Sequence, residues 1–301
     1  MHRPHFVVSM ALAAVVGSAQ DPTPTLPQDL RDLAARVDAA HHPDGPVPPV
    51  TAFRSTVEMT VLDTTAPEGG SVELEVQYLA WKPPGRDREQ PLIEYKVRAA
   101  TPIERGRDRT GFWQLFQNEA KDLRGAEFEQ DLAECKKHLN LARQLVRFFD
   151  PAAILRSFAD PTAVRESDLP FHPGEGKGPR ARNTKTPCFV VEGRLTSFPL
   201  LQQGGDDAAV MLRVFVSKAT SRLLAVEATP IANGVPDPTK MERINLLDPK
   251  TDGGLLVPGM LEHLFTAPDG TLQAKSRVHL RLQLGAELRV EDFDRPKPKK
   301  A

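Results

Sequence analysis

The chain has few of the residues on which metal and redox sites depend, and it has no long hydrophobic run. Its 301 residues include only 2 cysteines, 2 tryptophans and 2 tyrosines. No apolar run reaches the roughly 18 residues that a membrane-spanning helix needs, so none is predicted. The two cysteines form no Cys-x-x-Cys pair. This excludes a thioredoxin-like motif and a cysteine-based zinc framework.

Catalytic motifs are also missing. The 8 histidines form no His-x-His or His-Glu-x-x-His spacing, so no metal site is predicted. The Gly-x-Ser-x-Gly elbow of serine hydrolases is absent. Residues 204–207 read GGDD, like the start of a nucleotide-cyclase signature, but a polar hairpin loop is the simpler interpretation. Residues 248–254 favour a plain turn over a calcium loop. The sequence therefore indicates a protein that is not an enzyme, and it predicts no cofactor.

The charge balance argues against a nucleic-acid partner. Lys and Arg total 39 against 40 Asp and Glu, a formal net charge of −1, so there is no basic excess to neutralise phosphates. Two local basic runs are nevertheless present, in a long loop and in the tail: Lys177, Arg180, Arg182 and Lys185, and then Arg295, Lys297, Lys299 and Lys300. They are either solvated or in peripheral contact with anionic lipid headgroups, which attract each basic side chain by about 1 kcal/mol.

The first 19 residues have the pattern of a secretory signal peptide. A basic start precedes a short apolar stretch at residues 6–16, and small residues follow at 17–19. Signal peptidase requires such small residues, and the apolar stretch is too short to span a bilayer. The alternative is a buried N-terminal helix. We expect an exported, periplasmic protein whose mature chain begins near Gln20.

Export would permit a disulfide bond. Cys135 and Cys188 allow one bridge, but their spacing does not show that they meet. Cys135 falls on an apolar helical stripe, so a buried free thiol is the alternative. Both interpretations remain open at this stage.

The segment from residue 20 to 50 is predicted to be a flexible linker that contains one short helix. Leu30, Leu33, Ala34 and Val37 recur at i, i+3, i+4 and i+7, which places them on one helical face over residues 28–40. Residues 41–50 contain 4 prolines and a glycine, a composition that breaks regular structure. The remainder, residues 51–296, is predicted to be one domain, followed by a basic tail at 297–301.

Alternating apolar and polar residues predict about ten strands in this domain. Residues 53–61 and 72–78 form a hairpin around the turn at 66–70. Further strands are predicted at 92–99, 110–117, 188–198, 208–217, 222–229, 240–247, 259–266 and 271–284. The last alternates without a break: Val278 and Leu280 share its apolar face, while Arg281 points the other way.

One long helix interrupts the strands. A stripe with spacings of four and three predicts it over residues 127–150: Phe128, Leu132, Cys135, Leu139, Ala142, Val146 and Phe149. Leu132, Leu139 and Val146 are expected to be buried against the sheet. A second short helix is predicted at 152–158, so that the helical insertion covers about residues 126–158.

Consecutive strands joined by short turns predict an antiparallel meander. A sheet of this size curls, and its apolar face needs a cover. The amphipathic helices are the right size for that cover. The sequence therefore predicts an α+β fold, a strongly curved antiparallel sheet of about 10–11 strands with helices over its concave face.

Several short signatures resemble the LolA-like group of periplasmic lipoprotein-carrier and lipoprotein-sorting-like proteins. They are Phe112-Trp113, Val257-Pro258, Phe265, Asp269-Gly270 and residues 292–296, DFDRP, after the long final strand. The resemblance extends over about residues 28–296 and implies an unclosed, barrel-like sheet with helices on its concave side. It also implies acyl chains carried between sheet and helices, and a functional arginine for which Arg54 and Arg98 are candidates.

Two functions follow from these expectations. The first is an exported, non-enzymatic carrier of lipid or lipoprotein acyl chains, whose apolar lining would be Trp81, Phe112, Trp113, Phe116, Leu132, Leu139, Phe265, Val278 and Leu280. The alternative is an envelope protein-interaction or structural module in which the same residues fill a sheet core. Both require apolar side chains on one face, so the sequence does not separate them.

Overall fold

The computed structural model describes residues 26–62, 71–81, 92–99, 103–117, 119–170, 172, 185–201 and 208–296. Several predictions fall outside these residues. They concern the signal peptide, residues 20–25 of the linker, the turn at 66–70, the GGDD segment, Lys177, Arg180 and Arg182 of the basic loop, and the tail at 297–301.

Three helices follow the predicted pattern closely: α1 (Gln28–His41), α2 (Glu129–Phe149) and α3 (Pro151–Arg156). Helix α2 begins later than predicted because residues 126–128 form a 3₁₀ turn. The Asp150 carboxylate then accepts a hydrogen bond from the backbone N–H of Ala153 at 2.9 Å. With Pro151 at the first helical position, this cap ends α2 and starts α3.

The described residues form sixteen strands. They are β1 (Ala52–Val61), β2 (Ser71–Trp81), β3 (Leu92–Ala99), β4 (Ile103–Asp108), β5 (Gly111–Phe116), β6 (Glu119–Asp122), β7 (Arg165–Leu169), β8 (Thr186–Phe198), β9 (Ala208–Ser217), β10 (Leu223–Ala232), β11 (Val235–Pro236), β12 (Glu242–Leu247), β13 (Lys250–Asp252), β14 (Leu255–Val257), β15 (Met260–Thr266) and β16 (Leu272–Leu284).

The main sheet has the order β6-β5-β4-β3-β2-β1-β16-β15-β12-β10-β9-β8-β7, with β11 paired to β10 and β13–β14 as a separate hairpin. It is unclosed, with β6 and β7 at its edges. The predicted fold class is therefore confirmed, although the sheet has more strands than expected. The additional strands are short, and β4 reads IERGRD, which has no apolar alternation.

Strand β1 joins the two halves of the chain. Its Val57 lies opposite Leu74 of β2 on one side and Leu280 of β16 on the other. Val278 and Leu280 are 0% and 2% exposed and point to the concave face, whereas Arg281 is exposed on the convex face. The alternation predicted for the last strand is confirmed.

Helices α1, α2 and α3 cover the concave face and share one hydrophobic cluster with it. The ring of Phe53 stacks on Tyr78 at 5.3 Å between centroids and meets Phe149 of α2 edge-on at 5.6 Å. The hydroxyl of Tyr95 on β3 donates to the Cys135 carbonyl of α2 at 2.7 Å. These contacts fix the long helix across β1, β2 and β3.

The convex face carries charged side chains in alternating order. Glu192 of β8 pairs with Arg213 of β9 at 2.9 Å, and Arg213 pairs with Glu227 of β10 at 3.0 Å. Glu227 also pairs with the buried guanidinium of Arg243 on β12. Opposite charges on neighbouring strands stabilise that pairing. These ion pairs therefore lie on the face of the sheet opposite the main hydrophobic cluster.

The two cysteines are free and buried. Cys135 belongs to the cluster on the concave side, whereas Cys188 belongs to a second cluster on the convex side. Because the sheet lies between them, the two cysteines do not form the disulfide that the sequence allowed. The alternative, a buried free thiol, is the one observed. Among the described helices, none is both long and apolar enough to cross a membrane.

Candidate functional site

The apolar concave face reaches solvent at one end of the sheet. Val61, Val72 and Phe116 are 46%, 46% and 40% exposed, which is unusual for large hydrophobic side chains in this protein. Met59 lies opposite Val72, and Ile103 lies opposite Phe116. We call Met59, Val61, Val72, Ile103 and Phe116 the open rim. The side chains of the open rim point to the same side of the sheet as the buried core. The apolar surface of the core therefore continues to the open rim.

The structure brings only some of the predicted lining residues together. Leu139 of α2, Val278 and Leu280 join the main cluster and are 4%, 0% and 2% exposed. Phe112 packs at the margin of that cluster, with its ring 6.1 Å from the ring of Tyr95. Phe265 is half-buried and lies opposite Glu242.

The predicted stripe on α2 is partly wrong. Leu139 is fully buried, but Leu132 and Val146 are only half-buried. Cys135, Ala142 and Phe149 of the stripe are buried as expected, and Leu141, Leu145 and Phe148 widen the buried face toward the C-terminal end of the helix. Every fully buried residue of α2 lies at or after Cys135. The first turns of the helix therefore bury less of their surface against the sheet than its second half does.

Two tryptophans predicted to line the concave face lie on the convex face. The Trp113 side chain points to the convex face because neighbouring residues of a strand point to opposite faces and Phe112 points inward. It is fully buried on that face. Trp81 is half-buried and donates through Nε1 to Glu94 at 3.1 Å. Neither residue belongs to a concave lining.

Both candidate arginines also lie on the convex face. Arg54 is exposed, and Arg98 pairs with Glu104 at 3.1 Å. The concave face instead carries Arg105, whose Nε donates to Gln114 at 2.8 Å and whose guanidinium lies 3.6 Å from Asp131 of α2. Sequence analysis missed Arg105 because it missed strand β4.

A buried polar cluster lies between α2 and the concave face, and sequence analysis did not find it. We call Gln144, Glu242 and His263 the Gln144 cluster. The Gln144 carboxamide donates to the Pro199 carbonyl at 2.8 Å and to Oε1 of Glu242 at 3.1 Å. Its oxygen lies 3.3 Å from Nε2 of His263. All three side chains are buried.

The hydrogen-bond pattern fixes the state of His263. Since both Gln144 contacts to Pro199 and Glu242 use the amide nitrogen, the amide oxygen must accept, and His263 Nε2 therefore carries the hydrogen. Burial lowers the pKa of His263 to about 4, so the ring is neutral at pH 7. Its Nδ1 is a buried acceptor with no partner among the described residues.

The loop after β8 is fastened to the same cluster. The backbone N–H of Leu201 donates to Oε2 of Glu242 at 3.0 Å, and Asn140 donates to the Leu200 carbonyl at 2.8 Å. Asn140 and Gln144 are one turn apart on the buried face of α2. Two amides within an otherwise apolar helical face were the available sequence signal. Within the described part of the chain, no group of three His, Cys, Asp or Glu side chains is arranged to hold a metal ion.

Comparison with known proteins gives structural neighbours only. No protein-family model matches the sequence, and no curated protein matches it significantly. A DUF1329 family protein from Desulfovibrio piger matches 88% of this chain and 95% of its own, with 9% identity and a TM-score of 0.45. The LolA superfamily protein NE2245 from Nitrosomonas europaea matches 88% of this chain and 97% of its own, with 10% identity and a TM-score of 0.44.

A third neighbour is a putative outer membrane lipoprotein-sorting protein domain from Vibrio parahaemolyticus. It matches 88% of this chain and 94% of its own, with 12% identity and a TM-score of 0.39. The neighbours thus include the group that the sequence resembles. Likeness at this level describes the arrangement of strands and helices and identifies no ligand.

Proposed function

We propose that this chain is an exported, non-enzymatic binding protein that holds the acyl chains of lipid or lipoprotein between its concave face and its helical cover. One observation carries the proposal. The apolar surface of the concave face continues from the buried core at Val278 and Leu280 to the solvent-exposed open rim. An exposed apolar patch rimmed by polar residues marks a binding surface in a soluble protein.

A bound chain would enter beneath the first turns of α2. Leu132 there is half-buried, and fully buried contacts begin only at Cys135. Further along, Leu139 packs into the same cluster as Leu280. A long chain must therefore lift α2 from the sheet. Burial of each CH₂ group contributes about 0.8 kcal/mol, which offsets the cost of separating the apolar face of the helix from the sheet.

The second candidate is a protein-interaction or structural module with a filled core. It is favoured by the burial of Leu139, Val278 and Leu280, which fill the space between the helices and the sheet. In that case the open rim would contact a partner protein of the envelope, and no acyl chain would enter.

The proposed location is the periplasm or another exported compartment, which rests on the signal-peptide pattern of residues 1–19. The proposal includes no cofactor and no nucleic acid. The basic loop and tail would add a peripheral contact with anionic membrane.

A matched pair of variants tests the binding surface. Val72→Asp places a carboxylate on the open rim, and Val235→Asp makes the same change at an exposed valine on β11, which pairs with β10. We expect Val72→Asp to weaken binding of a fluorescent fatty acid at least fivefold, and Val235→Asp to leave it unchanged. Equal effects of the two variants, or no binding by the wild type, would favour the filled-core module.

A further inference from the structure

The Gln144 cluster is a polar site within an otherwise apolar interface. Around it the concave face is formed by side chains such as Ile244 and Leu261. Gln144 lies on helix α2, which moves away from the sheet in our proposed function. Glu242 and His263 lie on strands of the sheet. The cluster therefore divides when the helix lifts.

The division has a defined chemical consequence. In the closed structure the Gln144 carboxamide donates to Glu242 Oε1 at 3.1 Å and accepts from His263 Nε2 at 3.3 Å. When α2 moves away, the sheet keeps one acceptor and one donor side by side in an apolar surrounding. Buried polar groups in such surroundings need replacement partners.

We propose that the Glu242–His263 pair is a subsite for the polar end of the bound chain, and that it selects a neutral head which both donates and accepts a hydrogen bond, as an amide or a hydroxyl does. This inference rests on the proposed function. The ligand head takes the place of the Gln144 carboxamide, with its donor at Glu242 and its acceptor at His263 Nε2.

Other heads fit this pair less well. A methyl ester accepts hydrogen bonds but donates none, so it satisfies His263 and leaves the Glu242 carboxylate without the donor that Gln144 supplied. A fatty-acid carboxylate also only accepts, and its charge repels that of Glu242. Fatty acids thus bind through their chains, and the head discriminates among ligands of equal length.

Competition binding separates these cases. A dansyl-labelled fatty acid is displaced from the full mature chain by hexadecanamide, 1-hexadecanol or methyl hexadecanoate, three ligands with the same chain length. We expect the amide and the alcohol to compete at least tenfold more tightly than the ester. Comparison of the affinities of hexadecanamide and 1-hexadecanol shows whether the subsite prefers an amide or a hydroxyl.

Two glutamate variants assign the preference to the subsite. Glu242→Leu removes the carboxylate to which the amide donates and the ester does not, so it should reduce the advantage of the amide over the ester to less than twofold. Glu73→Leu makes the same change on the exposed convex face of β2 and should preserve the advantage. Equal competition by amide and ester in the wild type, or an unchanged preference in Glu242→Leu, would overturn the subsite. If neither probe nor competitor binds, the proposed function fails, and the subsite with it.

A second variant tests the subsite even where Glu242→Leu does not fold. Gln144→Ala removes the terminal CH₂ and carboxamide of the side chain and leaves an empty space of acetamide size beside Glu242 and His263. We expect free acetamide to raise the melting temperature of Gln144→Ala and not that of the wild type, and we expect acetone, which has the same size but donates no hydrogen bond, to have no such effect. Equal stabilisation by both small molecules would contradict the preference for a head that donates.

Discussion

The indole Nε1 of Trp113 on β5 donates to the carbonyl oxygen of Phe293 at 3.3 Å and so fastens the C-terminal turn to the convex face. Phe293 is fully buried in that turn. Lys96 of β3 donates to the neighbouring Asp292 carbonyl at 3.2 Å. The DFDRP signature is therefore a structural strap over β3, β4 and β5, and it lies on the face opposite the proposed binding site.

Gly106 is required beneath this strap. A Cβ added at Gly106 would overlap the six-membered ring of Trp113. We predict that Gly106→Ala lowers the free energy of unfolding by about 1–3 kcal/mol, as overpacking does. Urea denaturation of the wild type and of Gly106→Ala measures this difference in the free energy of unfolding. The double variant Gly106→Ala/Trp113→Leu should show a smaller cost than the sum of the single variants, and simple additivity would argue against the contact.

The cover helix offers a graded test. Leu139→Ala empties a fully buried position and should cost about 2–5 kcal/mol. Leu132→Ala makes the same change at a half-buried position on the same helix, and we expect a clearly smaller cost. Thermal and urea unfolding of both variants measure the two losses of stability. Equal costs would mean that the first turns of α2 are packed as tightly as its centre.

The fold was predictable wherever apolar and polar residues alternate, as in β16, and wherever they recur at helical spacing, as in α1. It was not predictable in β4, because Arg105 and Arg107 occupy the inward positions where the pattern requires apolar side chains. The facing of Trp113 was missed because the strap that buries it comes from the other end of the chain.

The candidate site was predicted less completely than the fold. The burial of Val278, Leu280 and Leu139 was predicted, since burial follows from periodicity. The Gln144 cluster was not identified, because its three members come from a helix and two separate strands. Only the sheet register and the crossing of α2 bring Glu242 and His263 to the same amide.

Acid should destabilise the protein through buried histidines. His41 accepts the backbone N–H of Leu223 at 3.1 Å and lies 3.1 Å from the Leu256 carbonyl, so its ring is neutral. Burial lowers its pKa from 6.5 to about 4. Between these values the unfolded chain binds more protons than the folded one, so stability falls as pH decreases from about 6.5 to about 4.

The size of this effect is testable by substitution. A shift of this size corresponds to about 3 kcal/mol for His41. His41→Gln should reduce the slope of unfolding free energy against pH between 4 and 6.5. An unchanged slope in His41→Gln would show that His41 is not buried as a neutral ring.

Adjacent residues of β16 test the two faces of the sheet. Leu280→Glu places a carboxylate among hydrocarbon side chains and should sharply lower the melting temperature and weaken fatty-acid binding. Arg281→Glu changes the exposed convex face and should alter both properties little. Calorimetry gives the melting temperature of each variant, and titration with a fluorescent fatty acid gives its affinity. Greater damage from Arg281→Glu would mean that the faces are reversed.

The most direct measurement is native mass spectrometry of the protein purified from the periplasm without detergent. The proposed function predicts a population heavier than the polypeptide by the mass of one lipid or acylated ligand, and gentle activation should release that ligand. Leu280→Glu should abolish this population, and Arg281→Glu should retain it. A single species at the polypeptide mass, together with no binding of added fatty acid or monoacylglycerol, would contradict the carrier account and favour the filled-core module.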